Sequence, residues 1–145
     1  MAKEELAKLL NQALELEHGA RIQYLSHAEI VDGPDAEAII ARLKEIAGDE
    51  KNHEDTFREL IGSYLDGVPS RGMAPTQAAR TVEEILEVNI AAEKHAVDVY
   101  LGILKEINEM KDELKYEYFQ LEHGVRHVIQ EEQEHIAELK LLLGR

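Results

Sequence analysis

The sequence predicts an all-α fold, a four-helix bundle of two antiparallel helix hairpins joined by one long crossover. Apolar residues recur every three or four positions along four long segments, which is the spacing of one helix face. No segment alternates apolar and polar residues as a half-buried strand does. The links between the segments are short, long and short in that order, and a short link forces long helices to run antiparallel.

The first hairpin is predicted from two apolar series. The first series covers residues 6–31 and ends at the turn Asp32-Gly33-Pro34-Asp35, and the second covers residues 36–64 and stops near Asp66-Gly67. At 1.5 Å per residue, each helix would be roughly 40 Å long. The few residues between the two helices predict an antiparallel pair.

The second hairpin is expected to begin after Thr81, a favourable N-cap that forms a capping box with Glu84. Its helices cover residues 82–107 and start again near Asp112. The crossover, residues 67–80, contains two of the three prolines. Extended at ~3.3 Å per residue it would span about 46 Å, enough to cross from one end of the bundle to the other. We expect residues 1–145 to form a single domain.

Composition excludes several classes of function. The chain has 30 Asp plus Glu against 16 Lys plus Arg, a net charge of −14, which argues against nucleic acid as a partner. The absence of cysteine excludes thiolate catalysis, Cys-type zinc sites, iron–sulfur clusters and a rubredoxin-like carrier in this chain. There is no apolar run of about 18 residues and no apolar segment typical of a signal peptide, so no membrane span is expected. We expect a cytoplasmic protein.

Six polar residues interrupt the apolar series near the middle of the helices, where an unpaired carboxylate would cost several kcal/mol. They are Glu17, Glu50, His53, Glu93, Glu132 and His135. One interpretation is that Glu and His neutralise one another in a buried network, or that these groups face water. The alternative is a metal site.

The arrangement of these residues repeats in the two halves of the chain. The pattern Glu-x-x-His occurs three times, and Glu15-x-x-His18 points away from its apolar series towards an expected solvated face. The second helix of each hairpin carries one of the other two copies in register, and the preceding helix contributes one Glu. The repeat therefore brings four carboxylates and two imidazoles to one centre.

This donor set suits two adjacent divalent cations. Each ion would take one imidazole nitrogen, one terminal carboxylate and two bridging carboxylates. Oxygen-rich ligation with some imidazole favours iron or manganese, and zinc could occupy the site without turnover. Four carboxylates balance two dications, which removes the cost of burying the charge.

Other residues are expected near this centre. Asp49 and Glu131 precede the two motif histidines by four residues, where each could accept the outer N–H of the imidazole on its own helix. Tyr24 and Tyr100 follow the lone glutamates by seven residues, a placement that suits hydrogen bonding to a ligand carboxylate; ordinary core aromatics are the alternative.

Two further histidines, His123 and His127, form an i, i+4 pair on the fourth helix. Such a pair could bind a metal ion at the surface. Solvated side chains without a ligand are the alternative interpretation.

These residues resemble the ferritin-like superfamily of di-iron carboxylate proteins, over residues 3–143, and most of all its bacterioferritin and rubrerythrin branch. The resemblance implies two bound iron ions. It also implies that Glu17 and Glu93 are terminal ligands, that Glu50 and Glu132 bridge the ions, and that the two motif histidines donate nitrogen.

Some positions depart from that branch. Lys51 follows Glu50 where haem-binding bacterioferritins carry Met, so no haem is expected. Ala96 stands where rubrerythrins carry a further Glu, and the chain has no rubredoxin cysteines. The sequence ends directly after the fourth helix, without the short fifth helix typical of 24-subunit cages, which leaves a dimer, a smaller shell and a cage open.

The resemblance implies a ferroxidase-type protein that oxidises Fe(II) with O2 or H2O2, for iron storage or protection against oxidative stress, and that assembles as a homo-oligomer. One alternative is a rubrerythrin-like peroxide reductase that needs an external electron donor protein. Another is a non-catalytic bundle that holds Zn or Mn.

Overall fold

The computed structural model describes residues 2–144, and this part of the chain is helical without any strand. The α-helices are α1 (Ala2–Ala28), α2 (Ala36–Glu59), α3 (Val82–Glu109), the short α4 (Lys111–Leu114) and α5 (Tyr116–Leu143). A single turn of π-helix, Leu60–Tyr64, continues α2. The predicted fold class is confirmed.

The ends of the helices follow local sequence signals. Thr81 caps α3, and its side-chain oxygen accepts a hydrogen bond from the Glu84 backbone N–H at 3.1 Å. The Glu84 carboxylate accepts from the N–H of Arg80, at 3.2 Å, instead of the expected Thr81 N–H. Gly33 turns the chain between α1 and α2 with a φ of +98°, a conformation that L side chains adopt at a steric cost.

The predicted fourth helix is broken near its start. The expected beginning near Asp112 lies within α4, and α5 begins only after Lys115, whose φ is +53°. This turn buries Leu114 and leaves Tyr116 91% exposed. Because Lys115 is neither glycine nor asparagine, the break has no local sequence signal.

The topology follows from contacts between the helices. Tyr100 of α3 lies against Ala13 of α1, and Asn89 lies against Gln23, so residue numbers rise along one helix as they fall along the other. Helix α1 is thus antiparallel to α3. The short link between Ala28 and Ala36 makes α1 antiparallel to α2 as well, so α2 runs parallel to α3. A parallel α2–α3 pair requires the connection to return along the length of the bundle.

The crossover lies along the outer side of α1. The Asn11 side-chain amide donates to the Val68 carbonyl oxygen at 3.0 Å, and the Gln77 backbone N–H donates to the Gln23 side-chain oxygen at 2.7 Å. These bonds join successive parts of the crossover to successive turns of α1. The connection is therefore held against one helix along its course.

Glu15 and His18, expected on a solvated face, are in fact half-buried under the crossover. The Glu15 carboxylate accepts a hydrogen bond from the Ser70 hydroxyl. The His18 Nδ1–H donates to the Gly72 carbonyl oxygen at 2.6 Å. This third Glu-x-x-His motif therefore holds the crossover in place.

Two apolar clusters fill the bundle on either side of a polar layer. The larger cluster packs α1, the end of α2 with the π-helical turn, α3 and α5, with fully buried residues that include Leu10, Phe57 and Val125. The smaller cluster packs the other end of the bundle around Leu43 and Ile85.

Within residues 2–144, no helix is both apolar and long enough for a bilayer crossing.

Gly19 of α1 marks a close approach of the crossover to the helix. A Cβ atom at this position would lie 2.8 Å from the backbone oxygen of Ala74. The Gly19→Ala variant is therefore expected to lower the free energy of unfolding by about 1–3 kcal/mol, the usual effect of overpacking. Urea unfolding followed by far-UV circular dichroism measures the change.

Gly102 of α3 provides the matched control, because a Cβ there meets no atom within 4 Å. Gly102→Ala is expected to stabilise the protein by about 0.5–1 kcal/mol, the usual gain in a helix interior. If both variants are stabilised alike, the crossover does not press on α1 at Gly19.

Candidate metal centre

The polar layer between the two apolar clusters brings all six interrupting residues together. None of their side chains is more than 2% exposed. The lone glutamates come from α1 and α3, and the two Glu-x-x-His motifs come from α2 and α5. The residues concerned are Glu17, Glu50, His53, Glu93, Glu132 and His135.

These residues form two overlapping groups of metal-binding atoms, and the ligand atoms within each group lie within 4.8 Å of one another. Both groups share Glu50 and Glu132. The first group adds Glu17 and His53, and the second adds Glu93 and His135. Two groups of side chains that share two carboxylates correspond to the pair of ion positions predicted from the sequence.

The two groups are related by the internal repeat. In the first group, His53 Nδ1 lies 2.8 Å from Glu17 Oε1, and in the second His135 Nδ1 lies 2.7 Å from Glu93 Oε2. The two imidazole rings are 6.1 Å apart between centroids. In both groups Nδ1 is the nitrogen that faces the carboxylates.

The shared carboxylates of Glu50 and Glu132 are the least satisfied polar groups of the layer. All four oxygen atoms are buried, and none forms a hydrogen bond with residues 2–144. A buried carboxylate without partners is costly, whereas bridging cations would satisfy every oxygen. The donor set therefore fits a pair of divalent metal ions.

Crowding of four acids shifts the pKa values in the layer. Burial, followed by the charge of Glu132, raises the pKa of Glu17 to about 7 and that of Glu50 well above its usual value. Burial opposes protonation of His135, but the close Glu132 carboxylate, 3.1 Å from His135 Nδ1, outweighs it and raises the pKa of His135 to about 9. Without metal, protons therefore take the place of cations in this layer.

The stability of the metal-free protein is expected to fall as pH rises from 5 to 9. A folded-state pKa above the unfolded value gives stability that is complete below the unfolded pKa and lost as pH rises through the folded pKa. For Glu17 this window runs from 4.5 to about 7, and for His135 from 6.5 to about 9. Thermal unfolding of chelator-treated protein measures the trend.

Metal should reverse this slope, because cations displace the protons and bind more tightly as pH rises. With Zn(II) present, the melting temperature is expected to rise between pH 5 and 7. Parallel curves with and without Zn(II) would show that the titrating groups do not bind the metal.

The outer nitrogens of the imidazoles bind carboxylates on the opposite helix. His53 Nε2 donates to Glu131 Oε1 at 2.7 Å, and His135 Nε2 donates to Asp49 Oδ2 at 2.9 Å. The predicted pairing within each helix is wrong. The imidazoles point across the bundle, so each Nε2 emerges beside the neighbouring antiparallel helix.

The two tyrosines lie at the centre but differ in their contacts. The Tyr100 hydroxyl donates to Glu17 Oε2 at 2.5 Å, and Phe57 packs edge-on against the Tyr100 ring. The Tyr24 hydroxyl is buried and has no hydrogen-bond partner within residues 2–144. Burial raises the pKa of Tyr24, and the charge of Glu93 is the next largest cause of that rise. Only Tyr100 makes the carboxylate contact expected from the sequence.

The structure contains an ion-pair cluster beside the centre that was not predicted from the sequence. Glu54 is only 3% exposed, and its carboxylate accepts hydrogen bonds from Arg58 at 3.0 Å and from Arg21. Arg58 also donates to His18 Nε2 at 2.8 Å. The spacing of Glu54 and Arg58 was the available signal, and the cluster joins α1 to α2 next to Glu17.

The sequence and the fold are similar to those of known proteins. Bacterioferritin of Desulfovibrio desulfuricans is 28% identical over 136 residues, which cover 93% of this chain and 72% of that protein. A ferritin-like, diiron-carboxylate protein from Bacillus anthracis str. Ames superimposes with a TM-score of 0.90 at 24% identity, covering 99% of this chain and 98% of that one.

A third similar structure is the dodecameric thioferritin of Bacteroides fragilis, described as a bacterioferritin-related protein. Its TM-score is 0.83 at 24% identity, with 98% of this chain and 86% of that chain covered. The family model described as a ferritin-like domain matches residues 7–145. With that match over nearly the whole chain, the protein belongs to the ferritin-like family.

Proposed function

We propose that this protein binds two iron ions in the polar layer and oxidises Fe(II) with O2 or H2O2, as a ferroxidase. The observation that carries the proposal is the pair of overlapping ligand groups that share Glu50 and Glu132. Iron suits a site of four carboxylates and two imidazoles. The bound iron would supply the electrons that reduce the oxidant.

Each residue has a distinct task in this proposal. Glu17 with His53 would hold one ion, and Glu93 with His135 the other, while the shared carboxylates would bridge them. Glu131 and Asp49 fix the rings by accepting their outer N–H groups. This arrangement turns Nδ1 of each ring towards the carboxylates.

The tyrosines have positioning roles. Tyr100 holds the Glu17 carboxylate through its hydroxyl. By the internal repeat, Tyr24, whose buried hydroxyl has no partner within residues 2–144, would hold the Glu93 carboxylate in the same way. Neither hydroxyl is needed as a ligand, because the six other residues supply the donors.

A cavity of about 210 Å³ supports a route for iron into the centre. It lies between α1, α3 and the crossover, and both Glu17 and Glu93 line it. Small residues such as Gly19, Ala20 and Ala92 line its walls. Fe(II) entering here would meet the two terminal carboxylates first.

We also propose that the protein assembles as a homo-oligomer. Ile22 and Leu25 of α1 are each 38% exposed, and Ile30, in the turn after α1, is 49% exposed. Met73 of the crossover is 52% exposed and lines the same depression as Ile22. Burying such residues against another copy removes apolar surface from water. The dodecamer of the Bacteroides fragilis relative supports this assembly.

An anaerobic Fe(II) titration followed by exposure to air tests the function. We expect uptake of two Fe(II) per chain and, after air or H2O2, a near-ultraviolet absorption of Fe(III) that saturates at the same ratio. Native mass spectrometry in the same buffer gives the number of subunits.

Other outcomes point to the alternatives. Uptake of no more than one ion per chain would contradict the di-iron proposal. Sustained H2O2 consumption only with an added electron donor would favour a peroxide reductase, and two bound ions without oxidation would indicate a non-catalytic bundle.

A further inference from the structure

The surface of α5 carries a histidine pair that the di-iron centre does not use. His123 and His127 are exposed, one helical turn apart, with ring centroids separated by 6.0 Å and ring planes only 13° apart. Because both side chains are exposed, their ring nitrogens can be reached by an ion from solvent. Two imidazoles at i and i+4 on one helix face are a known chelating arrangement for zinc.

Oxygen donors lie on both sides of this pair. Glu131 is one further turn along α5, and its Oε2 lies 3.5 Å from His127 Nε2. On the neighbouring helix α2, Glu59 lines a cavity of about 170 Å³ together with both histidines. Two carboxylates therefore lie beside the pair, and a rotation of these side chains would bring all four groups to one ion.

The positive charge nearest this site is already neutralised. Arg126 lies 3.4 Å from His123 Nδ1, but its guanidinium is bound to Glu122 at 2.8 and 3.3 Å. The Glu122 carboxylate therefore balances the positive charge of Arg126. A cation at the histidine pair would thus face the carboxylate of Glu59 and the Oε2 atom of Glu131, whose Oε1 accepts from His53.

The internal repeat breaks at this position. Glu50 of α2 corresponds to Glu132 of α5, so the α2 counterparts of His123 and His127 are Ala41 and Glu45. The first half of the chain therefore has no imidazole pair outside the centre. A role common to both halves, such as packing or support of the di-metal ligands, does not require these histidines.

Glu131 connects the pair to the buried centre. Its Oε1 accepts the N–H of His53 at 2.7 Å while its Oε2 faces His127. We infer that His123 and His127, with Glu131 and Glu59, form a third divalent-metal site at the surface, which shares Glu131 with the ligand His53. Ions that accept imidazole readily, such as Zn(II) or Fe(II), would bind there.

Zn(II) uptake by the folded full chain, measured by native mass spectrometry after removal of loosely bound metal, tests this site. We expect three ions per chain in the wild type and two in the variant with His123→Ala and His127→Ala. Glu134→Gln, which changes an exposed residue of α5, should keep three.

The counts separate this inference from the proposed function. Two ions in both the wild type and the double variant would overturn the surface site and leave the di-metal centre intact. One ion in the wild type and none in the double variant would support the surface site and contradict the di-metal centre. Three ions in the double variant would also overturn the surface site.

Discussion

Glu50→Gln is expected to abolish binding of both metal ions while leaving the metal-free protein folded. Glu50 belongs to both ligand groups, so a neutral amide at this position removes a charged ligand from each ion. Because burial raises the pKa of Glu50, the folded metal-free protein already favours its neutral form, which Gln imitates. The affinity for Fe(II) should fall by more than about 100-fold, beyond the effect of losing an outer hydrogen-bond partner.

Two variants serve as controls in the anaerobic Fe(II) titration. Glu17→Gln changes a residue of one group only, so one ion per chain should remain. Glu134→Gln changes an exposed residue of α5 and should keep two. Two ions bound by Glu50→Gln would mean that Glu50 does not bridge.

Phe57→Ala is expected to lower the free energy of unfolding by about 3–5 kcal/mol. Phe57 has no exposed surface, and its ring meets that of Tyr100 edge-on at 5.3 Å between centroids. The variant leaves a cavity in the larger apolar cluster and removes the support of the tyrosine that holds Glu17. Urea unfolding of the metal-free protein measures the loss.

The other phenylalanine of the chain is the natural comparison. Phe119 is 67% exposed on α5, so Phe119→Ala should change stability by less than about 0.5 kcal/mol. Equal losses for the two variants would show that the cluster around Phe57 is not the principal core.

Helical periodicity was sufficient to predict the fold class, because apolar spacing and link length restrict long helices to few arrangements. It also placed Glu17 and Glu93 on inward faces, where the structure has them. The break at Lys115 was not predictable, since it depends on packing of Leu114 and not on a turn residue.

Contacts between helices were harder to infer than positions on one helix. His53 lies four residues from Asp49, yet its outer N–H bonds to Glu131 of α5. The direction in which a side chain leaves the helix, not its sequence spacing, decides the partner. The contacts of Glu15 and His18 with the crossover were not predicted for the same reason, because sequence spacing does not give the partner of a side chain.

The sharing of Glu50 and Glu132 has a consequence for the lifetime of the folded state. Each ligand group draws on three helices, and both groups join the two hairpins. With ions bound, the hairpins cannot separate until coordination bonds break. The unfolding rate would then be limited by the rate of metal dissociation. The centre would therefore give the fold kinetic stability, independently of how much equilibrium stability the apolar clusters contribute.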